Sequence, residues 1–333
     1  MKILVIRLMG LGDVAAILVP AVKLTHQQYP NAIVDVMTYA AGVELMSLMP
    51  EVNAVLAITK AQWPSELNAA IVSFMQIADV VVAEQYDLVI NLDTWWLPCF
   101  LARVLKDAGI PLQGNYINLA IEEFFKQIQL DNFTQSYFEN PSEYLASTYP
   151  NMADWTTAWW DKYPKVNGYP AFYLNHCCGF KMPIDISLDI AADAVFKGQA
   201  QGKKIIALSC NGSKQSKQYP YGDALKNLLE QHGFYVWSQF DGSAAMHTTL
   251  ARLKVTDLLI TVATSTQWLA KLVACRSLMI SGALAPRMLG AEFSVEKIQS
   301  CQHCYQKNCV ENINFACMQV APELILAQVL EIH

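Results

Sequence analysis

The stretch that decides the fold is KILVIRLMGLGDV at residues 2–14, an apolar run followed at once by two glycines and an acid. The run at 2–8 is short and rich in branched side chains, which is typical of a strand buried in a parallel sheet. Residues 13–28 show helical apolar spacing, with Asp13 at the position of a helix N-cap and Pro20 where a kink is expected. The segment therefore predicts a βα unit.

The same alternation continues along the chain. Further strands are predicted at 32–39, 53–59, 86–93, 203–210, 234–240, 257–263 and 277–283, with helices between them and a last helix at 322–332. Strands that alternate with helices indicate an α/β fold with parallel sheets. Between about 95 and 180 the pattern weakens and aromatic side chains accumulate. We predict an N-terminal domain at 1–195, with an aromatic-rich insertion, and a C-terminal domain at 200–333.

The composition limits the classes of partner. The chain has 333 residues and a formal net charge of −6, and its 23 Lys and Arg residues form no basic run, so we do not expect a nucleic acid as partner. No apolar stretch is long enough to span a membrane, and the run before Arg7 is too short for a signal-peptide core. We expect a cytoplasmic protein that works at the inner face of a membrane, in peripheral contact with it, or within an oligomer.

The glycine turn offers a place to bind a polar ligand. Backbone N–H groups point outward at a helix amino terminus, and glycine lets a ligand approach the backbone closely. The sequence GLGDVA at 10–15 lacks the third glycine of the dinucleotide fingerprint GxGxxG, and its acid would repel a pyrophosphate. A nicotinamide-dependent oxidoreductase would need GxGxxG with an acid at the end of the second strand, and Asp35 is roughly in that place, but the glycine pattern does not fit such an enzyme. Asp13 is either a cap or a catalytic base.

Several segments resemble glycosyltransferase family 9, the ADP-heptose:lipopolysaccharide heptosyltransferases. RLMGLGDV at 7–14 resembles the family's N-terminal signature, which typically reads Arg-Leu-x-x-Leu-Gly-Asp-Val. Similar segments elsewhere are QYPNAIVDVM at 28–37, PEVNAVLAI at 50–58, KQYP at 217–220, DLLITVATSTQWLAKLVAC at 257–275 and the cysteine-bearing tail before the last helix. The resemblance touches both ends of the chain, whereas residues 95–200 have no clear counterpart.

The resemblance implies a GT-B fold, in which two Rossmann-like domains face each other across a cleft. The N-terminal domain would take the acceptor and the C-terminal domain the nucleotide sugar. The implied reaction is an inverting transfer of heptose or a related sugar from an ADP-sugar such as ADP-heptose, with no cofactor for catalysis. The acceptor would be a lipid-linked saccharide of lipopolysaccharide biosynthesis or a protein. Asp13 would be the general base, with Gly10 and Gly12 on the acceptor side.

The same resemblance assigns the donor side. A leaving nucleoside diphosphate needs positive charge and helix amides to stabilise it, and Lys217 is the candidate cation. The turn at 261–268 is the candidate amide cradle, with hydroxyl groups from Thr264, Ser265 and Thr266.

Two departures from the family concern the donor. The family reads Asp-Thr-Gly where this chain has Ala263-Thr264-Ser265, and it has His where this chain has Trp268. Trp268 either stacks on a sugar or base of the donor, or fills the space of a lost pocket. The alternative to an active transferase is therefore a degenerate family member that acts as a binding or assembly protein.

Four of the nine cysteines cluster near the end of the chain, at Cys301, Cys304, Cys309 and Cys317. Their spacing would allow a structural zinc or iron site, with His303 as a further candidate ligand. The resemblance makes iron as plausible as zinc, because protein-modifying members of the family carry cysteine-bound iron in their oligomers. The alternative is a loop of buried free thiols.

The aromatic middle of the chain has two interpretations. Its side chains either stack on sugar rings or an aromatic-rich protein acceptor, or they form core, which is the more common role of aromatic residues at such density. The residues concerned are Trp95, Trp96, Tyr149, Trp155, Trp159, Trp160 and Tyr163.

Overall fold

The structure, a computed structural model, describes residues 1–156, 168–306, 308, 309, 311 and 314–332. The chain divides into a first unit, Met1–Val166 with Pro170–Asp185, and a second unit, Asn167–Tyr169 with Ile186–His333. The division predicted from the sequence lies a little further along the chain, at 195–200.

The first unit is built on one sheet. Its strands are β1 (Lys2–Arg7), β2 (Ile33–Tyr39), β3 (Ala54–Ile58), β4 (Leu88–Asn91), β5 (Leu112–Ile117) and β6 (Leu145–Ser147). The strand order is β3-β2-β1-β4-β5-β6, and all neighbours are parallel except β5 and β6. The order reverses between β1 and β4, as in doubly wound α/β folds.

Helices cover this sheet. They are α1 (Leu11–Asp13), α2 (Val19–Gln28), α3 (Val43–Met46), α4 (Leu67–Ala83), α5 (Trp96–Asp107), α6 (Ile121–Gln129), α7 (Gln135–Glu139) and α8 (Pro141–Tyr144), with π-helical turns at Val14–Leu18 and Ala171–Cys177. The short helix α9 (Gly168–Pro170) stands at the division of the chain, with Gly168 and Tyr169 assigned to the second unit. Ile3 to Ile6 of β1 have no exposed surface, because β1 is a central strand with both faces covered.

The second unit repeats this architecture with another connection order. Its strands are β7 (Ile205–Ser209), β8 (Tyr235–Trp237), β9 (Leu258–Thr261), β10 (Ser277–Ser281) and β11 (Phe293–Glu296), all parallel in the order β11-β10-β9-β7-β8. Its helices are α10 (Ala194–Gln199), α11 (Gly222–Gln231), α12 (Met246–Lys254), α13 (Ser265–Leu272) and α14 (Pro322–Ile332). The order reverses here between β7 and β9.

The first helix begins earlier than the sequence predicted. Gly10 is the N-cap of α1, and Asp13 lies at the end of its first turn without bonding the helix amides, so the prediction that Asp13 caps the helix was wrong. The expected irregularity at Pro20 takes the form of the π-helical turn Val14–Leu18, directly before the first turn of α2. A widened turn can accommodate a ring that would otherwise meet the preceding carbonyl groups.

Candidate functional site

Asp13 lies at the carboxyl edge of the first sheet, beside the point where the strand order reverses. Arg7 is the last residue of β1, and Asp93 follows β4 by two residues. Because β1 and β4 are parallel neighbours, their carboxyl ends bring these residues together. Ligands of doubly wound sheets bind at this reversal point, outside the carboxyl ends of the strands.

Arg7 joins the two acids. Its guanidinium is fully buried, and Nη2 donates to Oδ1 of Asp13 over 2.7 Å. Nε lies 3.8 Å from Oδ1 of Asp93, and Nη1 donates to the carbonyl oxygen of Leu92. The guanidinium carbon lies 5.0 Å from the ring centroid of Tyr173, within range of a cation–π interaction. A buried cation thus holds two carboxylates, which offsets part of its desolvation cost.

Asp93 is enclosed by the fold. It has no exposed surface, and its Oδ2 accepts the backbone N–H of Leu8 over 2.5 Å. Asn91 accepts the N–H of Asp93 over 3.0 Å, and Asn115 donates to its carbonyl over 2.9 Å. Burial raises the pKa of Asp93 to about 6, although the charge of Arg7 and the Leu8 hydrogen bond act against the rise.

Asp13 differs from Asp93 in accessibility. A quarter of its side-chain surface is exposed (25 %), although one of its oxygens is held by the buried Arg7. The space beside Gly10 is open, since a Cβ atom built there would meet nothing within 4 Å, and Gly12 lies in the same turn, half-buried. An oriented carboxylate with room in front of it can accept a proton from a bound hydroxyl group.

A second candidate site lies at the carboxyl edge of the second sheet, around the reversal point between β7 and β9. A cavity of about 160 Å³ opens there. Lys217 and Lys214 follow β7, and Ala263 follows β9. The remaining lining residues are Ser216, Met279, Ile280, Gly282, Ala283, Leu284, Tyr305, Gln306 and Met318.

The other predicted donor residues lie on α13 and at its start, apart from the cavity lining. Thr264 is the N-cap of α13, and its Oγ1 lies 3.4 Å from that of Thr261, while Ser265 is half-buried beside it. Thr266 is buried and accepts the hydroxyl of Ser209 over 3.1 Å. Trp268 is only 6 % exposed and packs edge-on against Tyr169, at 6.3 Å between ring centroids. Lys217 and Ala263 are therefore the positions of the predicted donor segments that face the cavity.

A larger cavity, of about 420 Å³, lies on the other side of the β7 loop. It is lined by residues that follow β7 and β8, among them Asn211, Asp223 and Asp241. Cavities that bind drug-sized ligands measure roughly 300–1,000 Å³. The volume of the larger cavity falls within this range, whereas that of the smaller cavity lies below it.

The segment that carries Cys301, Cys304, Cys309 and Cys317, called the cysteine segment, forms one wall of the smaller cavity. The N–H of His303 donates to the carbonyl of Gly282 over 3.1 Å, and that of Tyr305 to Ala283 over 2.9 Å. A Cβ at Gly282 would lie 2.5 Å from Sδ of Met318, so a larger residue there would require the Met318 side chain to shift. The segment that carries the thiols is therefore docked on the end of β10.

The four clustered cysteines are neighbours, but they do not form a ligand set. Burial, followed by the charges of Cys301, Cys304 and Cys309, raises the pKa of the Cys317 thiol. His303, the further candidate ligand, pairs with Glu296 over 2.9 Å. Within the described parts of the chain, no three His, Cys, Asp or Glu side chains are placed to share a metal ion. As arranged here, the residues do not fit a bound zinc or iron.

The aromatic middle is largely core. Trp96 is 5 % exposed and stacks on Phe100 at 5.2 Å, and Tyr149 is buried. Trp155 packs edge-on against Tyr173, at 4.9 Å. Trp95 differs, because half of its surface is exposed (50 %). Trp159, Trp160 and Tyr163 lie outside the described residues.

Both sites are completed by residues that were not predicted from the sequence. Asp93 was only the last residue of a predicted strand, although an acid directly after a buried parallel strand is a signal for a site. Arg7 was part of a motif without an assigned role. Lys214, Tyr305 and Gln306 carry no motif of their own and are placed at the cavity by the fold.

No protein-family model matches the chain. Lipopolysaccharide heptosyltransferase 3 of Escherichia coli is 29 % identical over 97 residues, which make up 29 % of this chain and 28 % of that protein. The matched segment thus spans little more than a quarter of the length of this curated relative.

The fold has close counterparts among solved structures. The glycosyl transferase family 9 protein of Veillonella parvula aligns with a TM-score of 0.67 at 14 % identity, covering 99 % of this chain and 96 % of that one. The iron-containing dodecameric glycosyltransferase TibC of enterotoxigenic E. coli aligns with a TM-score of 0.56 at 11 % identity, covering 100 % and 78 %. Another structure holds TibC in complex with ADP-D-beta-D-heptose. These comparisons confirm the resemblance to family 9 and the predicted α/β GT-B fold, with two Rossmann-like domains.

Among the helices that the structure describes, none is both long and apolar enough to cross a membrane.

Proposed function

We propose that the protein is an inverting glycosyltransferase that moves heptose, or a related sugar, from an ADP-sugar to a saccharide or protein acceptor. The observation that carries the proposal is the accessible Asp13 carboxylate, held by the buried Arg7 at the reversal point of the first sheet. The relatives named above, a lipopolysaccharide heptosyltransferase and TibC with its bound ADP-heptose, support this donor class.

The chemical step assigns Asp13 the role of general base. Its carboxylate takes the proton of the acceptor hydroxyl as the hydroxyl oxygen attacks the anomeric carbon of the donor. The bond from that carbon to the diphosphate breaks on the opposite face, and ADP leaves with the bonding electrons. The anomeric configuration is inverted because one displacement occurs.

The second unit supplies the donor site in this proposal. Lys214 and Lys217 line the cavity and would neutralise the diphosphate. The amino terminus of α13, with Thr264 as its N-cap, lies at the same edge of the sheet and offers backbone N–H groups to phosphate oxygens. Met279, Ile280 and Leu284 add apolar surface for a base or sugar.

Three aromatic side chains favour a saccharide acceptor, and we call Tyr39, Trp63 and Trp95 the aromatic row. Each stands at or beyond the carboxyl end of a strand of the first sheet, on the same edge as Asp13. Trp63 contacts Trp95 edge-on at 6.0 Å between centroids and Tyr39 at 6.5 Å. The exposed Trp95 leaves an apolar ring against which a sugar ring can stack.

The alternative function, a non-catalytic binding or assembly protein, is favoured by one observation. Ala263 lines the cavity and offers no side-chain group to a donor where the family has an acid. A binding protein of this kind would transfer no sugar, whether or not it binds a nucleotide.

A structural metal, an oligomeric assembly and a cytoplasmic location at the membrane face stay predictions. TibC is described as iron-containing and dodecameric, which supports testing both properties in this chain. The arrangement of the cysteines described above gives the metal no ligand set.

The decisive experiment measures ADP release from ADP-heptose in the presence of heptose-deficient lipopolysaccharide, with product mass as the second readout. We expect transfer by the native chain and a loss of about 10²–10⁴-fold in kcat for Asp13→Asn, the range typical of general bases. Asp79→Asn, on the exposed surface of α4, is the matched control and should behave as the native chain does.

Two results would argue against this function. Full transfer by Asp13→Asn would remove the base from the mechanism. Saturable binding of ADP-heptose, seen as a rise in melting temperature, without transfer to lipopolysaccharide or to a protein acceptor would favour the binding protein.

A further inference from the structure

We propose that Asp93 is a positioning residue for the transfer, whose buried carboxylate acts through the guanidinium of Arg7 to orient the Asp13 carboxylate and to share the positive charge that it faces. The inference rests on the proposed role of Asp13 as base. It concerns a residue that the reaction itself does not touch, because Asp93 has no exposed surface.

The shape of the Arg7 guanidinium allows Asp93 to influence the orientation of Asp13. This group is planar and rigid, so fixing one edge fixes the direction of the other. Its Nε lies 3.8 Å from Oδ1 of Asp93, and its Nη2 lies 2.7 Å from Oδ1 of Asp13. Asp93 is itself held by the N–H of Leu8 and by Asn91. The sheet therefore orients Asp13 through two side chains.

Asp93 also changes the charge that Asp13 faces. A guanidinium that faces a single carboxylate favours its ionised form and weakens it as a proton acceptor. A second carboxylate on the same guanidinium offsets part of this effect. Asp93 and Arg7 are both fully buried, so water screens their interaction little. The ionised Asp93 thus shares the positive charge of Arg7 with Asp13, so the Asp13 carboxylate does not face that charge alone.

The charge of Asp93 can change in the working pH range, since burial raises the pKa of this carboxyl to about 6. The ionisable groups that face it from the surrounding elements are Arg7 of β1, Asp13 of α1, Cys99 of α5, Tyr144 of α8 and Tyr173 of the second π-helical turn. Burial raises the pKa values of Cys99, Tyr144 and Tyr173, so these three stay uncharged. Protonation of Asp93 below this value would withdraw its support from Asp13.

The test is the pH dependence of kcat between pH 5 and 8 for the native chain and Asp93→Asn, in the ADP-release assay. The native rate should fall as the pH is lowered through about 6. The variant should show a kcat lowered about tenfold at pH 7.5, KM values within about twofold of native, and no change of rate around pH 6. Asp35→Asn is the control, since Asp35 is also buried in this sheet but is bonded by Asn53 and Tyr86.

A structural role alone would lower the rate of Asp93→Asn and leave its pH dependence native, and that result overturns the proposal. If the native chain transfers no sugar, the proposed function fails, and carboxyl NMR still tests the coupling. The Asp13 carboxyl resonance, identified by its loss in Asp13→Asn, should shift as Asp93 takes up a proton at about pH 6 in the native chain, and should show no such step in Asp93→Asn. Identical titrations would overturn the inference independently of the activity.

Discussion

The Nη2 atom of Arg7 lies 2.7 Å from Oδ1 of Asp13, so a guanidinium without exposed surface holds a carboxylate that keeps a quarter of its side chain exposed. This relationship joins the core of the first unit to a group that a ligand can reach. The end of β1 sets the position of Arg7, and the Arg7 guanidinium in turn sets the orientation of the Asp13 carboxylate.

Replacing Arg7 by lysine should separate charge from shape. Arg7→Lys keeps a cation but loses the planar fork that contacts Asp13, Asp93 and the Leu92 carbonyl together. We expect kcat to fall by about 10–100-fold, because an ill-placed base costs that much. Arg103→Lys is the control, since Arg103 lies on α5 and pairs with Asp107. Native activity in Arg7→Lys would contradict the positioning role of the fork.

The buried Asp93 should make stability depend on pH. Its pKa in the fold is about 6 against an ordinary value of 3.8, so the folded chain retains a proton that the unfolded chain releases between these values. The free energy of unfolding therefore falls as the pH rises through this window, by about 3 kcal/mol, and stays lowered above it. Asp93→Asn removes this effect. Urea unfolding should show that the free energy of unfolding of Asp93→Asn, relative to that of the native chain, is higher at pH 7 than at pH 4. The same difference at both pH values would contradict the raised pKa.

Lys217 should contribute to nucleotide affinity. A charge-assisted hydrogen bond to phosphate contributes about 1.5–3 kcal/mol, so Lys217→Ala should raise the Kd for ADP by about 10–100-fold. Lys204→Ala is a matched control, because Lys204 is an exposed lysine that precedes β7 and pairs with Asp257 at the other edge of the sheet. Calorimetry with ADP checks both. Equal affinities would place the diphosphate elsewhere.

Trp95 should affect the acceptor and not the donor. Trp95→Ala removes the exposed ring of the aromatic row, and we expect the KM for the acceptor to rise by about 5–30-fold, from the apolar area and stacking that are lost. Trp95→Phe should restore most of the affinity. Leu130→Ala, at another exposed apolar residue of the first unit, is the control. A rise in KM for the ADP-sugar instead would contradict an acceptor role.

The cysteine segment should influence the donor cavity whether or not it holds metal. Tyr305 and Gln306 line the cavity next to the half-buried Cys304. Alkylating the accessible thiols should therefore weaken ADP binding several-fold, and a chain with Cys301, Cys304 and Cys309 replaced by serine should resist the effect. Metal analysis of the purified chain should accompany this experiment. An ADP affinity that alkylation leaves unchanged would show that the cysteine segment does not influence the donor cavity.

The regular βα elements could be predicted from the sequence, because each has its own apolar period. The strand expected at 2–8 is Lys2–Arg7, the helix expected between the strands at 53–59 and 86–93 is Leu67–Ala83, and the last helix, expected at 322–332, is Pro322–Ile332. Strand β5, Leu112–Ile117, was missed, since it contains polar residues and a glycine. Gly114 is required there, because a Cβ would lie 2.1 Å from the carbonyl oxygen of Asn91 on β4.

The candidate sites were predictable only in part. The motif pointed to Asp13, but its partner Asp93 lies 80 residues further along the chain and reaches it through the order of the strands. Residue patterns predict the strands but not their order in the sheet, so the pairing of Asp13 with Asp93 could not be predicted from the sequence. The burial of Trp268 and the docking of the cysteine segment are tertiary results of the same kind.

The π-helical turn Val14–Leu18 links Asp13 to the helix that carries the rest of the apolar face. A π turn contains one residue more than the α-helical turn that it replaces, and each residue of an α-helix turns the chain by about 100°. Deleting one residue here would restore a regular helix at the expense of rotating either the acid away from Arg7 or the buried side chains of α2 away from the core. The length of this turn therefore sets the angle about the helix axis between the Asp13 carboxylate and the buried side chains of α2. Insertions or deletions in the turn should be tolerated far less than substitutions.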